Sequence, residues 1–352
     1  MVQTGSMFAP LTSDRLLLRP VRASDASALA ARRGDPEVAH LQAWTVPYPQ
    51  ARAEALIEAV MAMPGPVDDQ FFMLTVADRD DSEIYGDVVV KLEWDGRAAE
   101  VGWTFARAHW GNGYAAEAVE RLLRWLMDEQ GVTRVQATMH PENFASARVA
   151  ERNGFVFEGH TRNSFWVEDE NSDDWIYGLT PELWTAWQNR PTAAPDVVEL
   201  VEPYPVGLRH VLALTVHHSQ RRFVADIAAS LAQVAVPPFE EGEGDVPRVV
   251  PWPRIIHADG EPVGFVMMEE PTPTAPEPYL WRLNIDRMHQ SRGIGARVLE
   301  QVIAQCREWG AASLLVSYVE GVGSPERFYT GIGFEPTGEY DEDEAIARLM
   351  LG

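Results

Sequence analysis

Two stretches of this chain make the same turn. HQSRGIGARVL, residues 289–299, sets Gly293 and Gly295 at the mouth of a helical pattern; HWGNGYAAEAV, residues 109–119, sets Gly113 and Ala115 in the same rhythm 180 positions earlier. In each case the preceding text has strand chemistry and the following text has apolar residues at helical spacing. The chain must therefore fold in a way that accommodates one strand–turn–helix unit twice. Its 352 residues exceed what one hydrophobic core usually supports, so two domains are expected.

The flanking text supports a duplication. From Leu11 the sequence reads as a strand, an Asp/Ser-rich turn capped at Ser24 or Asp25, a helix, and a second helix in AEALIEAVMAM that ends at PGP. FFMLTVADR, IYGDVVVKLEWD and AAEVGWTFA follow as a meander of strands. After the Gly turn come a long helix stopped at Gly131, a strand in RVQATM, a short helix and two closing strands. The order β-α-α-β-β-β-α-β-α-β-β describes a mixed α/β sheet with one parallel crossover through the long helix. A Pro/Ala stretch, 189–197, separates this domain, 1–188, from a second, 198–352, which repeats the plan. There, helices are expected in 206–223 and 224–236, then strands, the second turn, a helix from Ala296 and a closing strand–helix–strand.

Charge and composition narrow the function. A net charge of −24 repels phosphate backbones and anionic lipid, so neither nucleic acid nor membrane is an expected partner. No apolar run reaches membrane-spanning length and no leader pattern precedes the first strand, which together with a single cysteine, Cys306, leads to a cytoplasmic expectation. Cys306 sits in a helical pattern and reads as a buried thiol. His217 and His218 have no third ligand in view, so no metal site is expected. Acidic runs at 168–174 and 240–245 are either solvated loops or a lure for a cationic ligand.

A Gly-rich turn at a helix N-terminus gathers backbone N–H groups where the helix dipole is positive, and so suits a pyrophosphate. The third glycine of a dinucleotide-binding turn is missing in both copies. Gln290-Ser291-Arg292-Gly293-Ile294-Gly295 instead resembles the CoA-pyrophosphate turn of the acyl-CoA N-acyltransferase superfamily, GNAT. Trp110-Gly111-Asn112-Gly113-Tyr114-Ala115 resembles it too, with tryptophan in place of Gln or Arg. Asn143, Ser146 and Asn153-Gly154-Phe155 make the first half similar to acetyltransferases of ribosomal-protein N-termini, and Phe328-Tyr329-x-x-x-Gly333-Phe334 makes the second similar to diamine and polyamine acetyltransferases. The resemblance implies two tandem GNAT domains, each with a mixed, mostly antiparallel sheet flanked by helices. It also implies acetyl-CoA as co-substrate, with residues 110–115 and 290–295 and Asn143 holding it. The acceptor would be a primary amine of a small molecule or peptide, in a monomer with an internal pseudo-dimer or in a homodimer.

Acetyl transfer to an amine needs a base for the ammonium and a proton for the departing thiolate. By resemblance Glu100 is the base, Ser146 the donor in the first domain and Tyr329 the donor in the second. Each also has an ordinary reading: a solvated strand end, a helix cap and an aromatic packed on a helix face. The second domain has Val322-Gly323 where the first has its pantetheine asparagine, and Trp281 near the place of the polyamine enzymes' acid. Arg282 and Asp286 there either line a site or form a surface ion pair. With no activated Cys or Ser in sight, direct attack in a ternary complex is expected. The rivals are a chain with one active domain and a protein that binds acyl-CoA or an amine without turnover.

Overall fold

A computed structural model of the chain describes residues 8–203, 208–235, 250–273 and 275–352. It divides into two compact units, Met1–Asn189 and Arg190–Gly352. The acidic run at 240–245 lies outside the described residues.

The first unit begins with the short strands β1 (Leu11–Thr12) and β2 (Leu16–Pro20) and the helices α1 (Ala26–Gly34), α2 (Pro36–Ala39) and α3 (Gln50–Met61). The meander β3 (Phe72–Asp78), β4 (Ile84–Glu93) and β5 (Ala98–Phe105) leads through the first Gly turn into α4 (Tyr114–Leu123), which runs on as a wider π-type turn over Arg124–Glu129. The unit closes with β6 (Arg134–Met139), α5 (Phe144–Arg152), β7 (Val156–Val167), β8 (Glu170–Leu179) and α6 (Pro181–Gln188). The sheet order is β1-β2-β3-β4-β5-β6-β8-β7, and only β5 and β6 run parallel.

Period-two alternation positions the site. Val88, Val90 and Leu92 of β4 and Ala99 and Val101 of β5 point into the core under α4, whose Ala118, Val119 and Leu122 supply the facing stripe. Lys91 and Glu100 are register partners and project from the opposite face.

The second unit contains β9 (Val198–Val201), α7 (Leu208–Val211), α8 (Ile227–Ala235), β10 (Pro251–Ala258), β11 (Glu261–Glu269), β12 (Tyr279–Ile285), α9 (Ile294–Glu308), β13 (Ser313–Val319), α10 (Glu326–Ile332), β14 (Glu335–Asp341) and β15 (Glu344–Met350). Its sheet order is β14-β15-β13-β12-β11-β10-β9, with β12 and β13 the parallel pair. Residues 193–197 are fastened to this unit: Arg292 and Arg297 donate to the carbonyls of Ala193, Pro195 and Asp196, and the Val197 N–H donates to Asp259.

Three expectations are revised. The helix expected over 206–223 stops after Val211, because the Thr215 backbone is taken from both sides: its N–H donates to Asp286 and its carbonyl accepts from Arg287 N–H. A helix, α6, starts at Pro181 behind the Thr180 cap where none was expected, and it buries Trp184 and Trp187 in the core. Asp25 stands at the N-cap of α1, yet its carboxylate is bound by Arg19, Thr75 and the Arg22 N–H and caps no group of α1.

Candidate active site

The two turns share one backbone. Gly111 and Gly113 have φ of 78° and 80°, and Ser291 and Gly293 have 63° and 75°, so positive φ alternates in the same way in each copy. Alternation of this kind curls successive N–H groups into a concavity that takes an anion at a helix N-terminus. A Cβ on Gly111 or Gly293 would meet no protein atom within 4 Å, so the space in front of both turns is open. Gly295 has a different reason: its Cβ would lie 3.1 Å from Phe328 Cζ, and the glycine makes room for that ring on α10.

The residue that differs most between the turns turns out to be equivalent. The Trp110 indole Nε1–H donates to the Phe105 carbonyl at 2.8 Å, and the Gln290 amide donates to the Ile285 carbonyl at 3.0 Å. Both tie the turn to the carbonyl five residues back, at the end of the incoming strand. In these conformations Trp110 and Gln290 act as tethers of the loop through the side chain. Arg292 is also committed: it is buried and donates to Ala193 O and to His289 Nδ1. Asn112 donates to the carbonyls of His109 and Trp110, and Tyr114 stacks on Tyr85 at 4.5 Å under the Arg15 guanidinium. Besides the Arg15 guanidinium, which donates to the Asn112 carbonyl at 3.1 Å, and the Ser291 hydroxyl, the groups that remain to meet an anion at both turns are backbone N–H.

Beside the first turn the sheet opens. β5 pairs with β6 only over Ala98–Glu100 and Arg134–Gln136, although β5 continues to Phe105 and β6 to Met139. The divergence leaves the β6-side backbone groups of residues 101–105 without a strand partner and forms one wall of a cleft of about 910 Å3. Glu100, Thr138 and His140 line it, with Asp87, Trp44 and Asp174. The Glu100 carboxylate accepts from Lys91 Nζ at 2.7 Å and from Thr138 Oγ1 at 3.2 Å. Burial would lower the Lys91 ammonium, but Glu100 and Glu93 outweigh it and hold it above the usual lysine value. Asn143 is the N-cap of α5, accepting from Ser146 N–H at 3.1 Å; the Ser146 hydroxyl makes no hydrogen bond to the described residues.

Sequence reasoning missed two features here. His140 directly follows β6, and its Nδ1 accepts the Glu142 N–H, which puts the ring proton on Nε2. The buried pair Arg32–Asp87 ties α1 to β4 beside the cleft. HPEN just before α5 marks the first; nothing local marks the second, because its partners are 55 positions apart.

The second unit repeats the opening but not the chemistry. β12 and β13 pair only over Tyr279–Leu280 and Leu315–Val316. Matched on Gly86↔Phe105 and Gly264↔Ile285, the pair Lys91↔Glu100 answers to Glu269↔Tyr279, because β12 bulges between Arg282 and Leu280; Tyr279 thus stands where β5 carries Glu100, and Leu280, 2% exposed, lies in the core. Trp281 packs beside a small apolar cluster that includes Phe265 and Met267. Arg282 and Asp286 form no ion pair with each other: Arg282 donates to the Trp281 carbonyl, and Asp286 accepts from Thr215 and Met288 N–H. Tyr329 is 7% exposed among Tyr318, Phe328 and Phe334; burial, then Glu344, pushes its phenol well above the usual tyrosine value. Cys306 is fully buried and its thiol is pushed up to about 12 by burial, which fits the packing reading.

These features define a CoA-type acyltransferase scaffold in each half, and comparison with known proteins agrees. The acetyltransferase (GNAT) domain family matches residues 15–156, and the acetyltransferase (GNAT) family matches residues 229–334. The chain is 27% identical over 170 residues to the uncharacterized N-acetyltransferase p20 of Bacillus licheniformis, a match covering 48% of this chain and 94% of that protein. It is 26% identical over 186 residues to the [ribosomal protein uS5]-alanine N-acetyltransferase of Escherichia coli, covering 50% and 92%. A GNAT-family acetyltransferase structure from Bacillus anthracis aligns with TM-score 0.44 and 23% identity over 49% of this chain and 99% of that one. The chain belongs to the GNAT acetyltransferase family, with one domain in each half.

Proposed function

We propose that the N-terminal domain transfers an acetyl group from acetyl-CoA to a primary amine of a small molecule or peptide, and that the C-terminal domain does not turn over. The observation that carries this reading is the register equivalence of Glu100 and Tyr279: at the same strand position one cleft has a carboxylate and the other has a phenol.

Acetyl-CoA, when bound, supplies the acyl group as a thioester. The chain's own groups do the rest. The backbone N–H groups of residues 111–115 bind the pyrophosphate, and Asn143 steadies the pantetheine arm. Unpaired backbone N–H groups of β5 stabilise negative charge on the carbonyl oxygen. Glu100, directly or through a water, takes the proton that an alkylammonium must lose before attack, and Ser146 donates to the departing sulfur. The amine attacks directly within the ternary complex, a reading supported by the burial of Cys306. In the C-terminal domain, residues 291–295 offer a second backbone cradle for CoA, and the raised phenol of Tyr329 is a poor proton donor.

Thiol release over a panel of primary amines, read by mass for the acetylated product, tests this. Glu100→Gln lowers kcat by about 10²–10⁴, the usual contribution of a positioned base. Tyr329→Phe leaves kcat within about twofold, since no general-acid contribution is lost. Equal losses in both variants refute the single-site reading, and no loss in either refutes the role of Glu100.

A further inference from the structure

In the C-terminal domain a second pocket of about 240 Å3 lies between residues 214–227 and the ends of β11 and β12. It is far smaller than the first cleft and below the roughly 300–1,000 Å3 that drug-sized ligands need, so its occupant is a small metabolite. Most of its wall is apolar, from Leu214, Val224 and Ile285 among others.

Four polar side chains give it direction. Asn284 lines the pocket, is 5% exposed, and donates from Nδ2 to the Ala225 carbonyl at 3.0 Å. That bond fixes the amide orientation and leaves Oδ1 buried with no hydrogen-bond partner. A buried acceptor left unmade is destabilising, and a donor supplied by a ligand relieves that cost. Asp286 lines the same wall, its two oxygens each holding one backbone N–H at 2.8 and 2.9 Å, so it contributes negative charge to the pocket. Asp226, just before α8, also lines the pocket and accepts the Ala229 N–H. Arg221 is the cation of the lining; it is exposed and forms no ion pair among the described residues.

We infer that this pocket binds a free amino acid, with its ammonium donating to Asn284 Oδ1 near Asp286 and its carboxylate on Arg221. An orphaned acceptor backed by carboxylates selects a nitrogen cation, a lone guanidinium at the rim selects an anion, and a small apolar chamber selects a short side chain between them. The first domain has Thr104 where this one has Asn284, and Thr104 offers no equivalent amide oxygen. Binding here requires no transfer in either domain.

Titration calorimetry of the full chain against each of the twenty standard amino acids tests the inference, with the best binder repeated as its carboxamide. At least one amino acid binds. Its carboxamide and the Arg221→Gln variant each weaken binding about tenfold or more, as loss of a charged hydrogen bond does, and the two losses do not add. Asn284→Thr, which installs the first domain's residue, weakens it similarly. Arg221 is exposed, so its variant reports even if Asn284→Thr fails to fold. No heat with any amino acid, or binding that Arg221→Gln and the carboxamide leave unchanged, overturns the assignment.

Discussion

Single side chains show where the sequence could be read and where it could not. The turn glycines were legible because positive φ restricts the residue that can occupy them. The tether was not, since an indole and a carboxamide look unrelated until they are seen donating to equivalent carbonyls, those of Phe105 and Ile285. Trp110→Gln should therefore retain the loop, while Trp110→Leu should lose about 0.5–1.5 kcal/mol, measurable by urea unfolding. Asp25 was legible only as a cap. In the fold it is 5% exposed and bridges to Arg19, 4% exposed, so Asp25→Asn should destabilise by about 3–5 kcal/mol. Desolvation alone would raise the Asp25 carboxyl, but Arg19, the Arg22 N–H and Thr75 prevail and hold it below 3.8. Its folded pKa is thus lower than its unfolded one. The stabilisation is present above about 3.8 and is lost as pH falls through the folded value, so the variant should show a flatter acid limb.

At the level of elements, periodicity sufficed for α4, α9 and the meander strands, whose buried faces follow helical or alternating spacing. It failed over 206–223, where apolar residues at helical spacing are overruled by the bonds of Thr215 with Asp286 and Arg287, some seventy positions away. The second glycine of GIG was legible as a phosphate residue but serves helix packing. Aligned on Gly154-Phe155 and Gly333-Phe334, Phe328 corresponds to Val149; aligned on the turns, Gly295 corresponds to Ala115. Small opposite large in one copy matches medium opposite medium in the other. Gly295→Ala and Phe328→Val should then be coupled, the double variant being more stable than the sum of the singles by about 0.5–3 kcal/mol in a thermodynamic cycle.

For the whole molecule, duplication was legible from one repeated turn, and the GNAT fold from the residues around it. The proposed division of labour between the halves was not, because Glu100 and Tyr279 can be equated only through the pairing of β5 with β4 and of the bulged β12 with β11. Net charge bears on the acceptor. A chain at −24 attracts polycations over a Debye length of about 10 Å at 0.1 M salt and about 3 Å at 1 M. The kcat/KM for a diamine should fall with ionic strength more steeply than that for a monoamine of equal length, which parallel assays would show.

The tether from residue 110 or 290 to the end of the preceding strand has a bearing on how such domains descend. Across the duplication the chain kept a donated proton, not a residue. Any side chain that reaches that carbonyl with an N–H can inherit the post, whatever its size or aromaticity. Resemblance between copies is then better counted in bonds than in letters, and further degenerate copies of this turn will show up as a conserved destination reached by unlike donors.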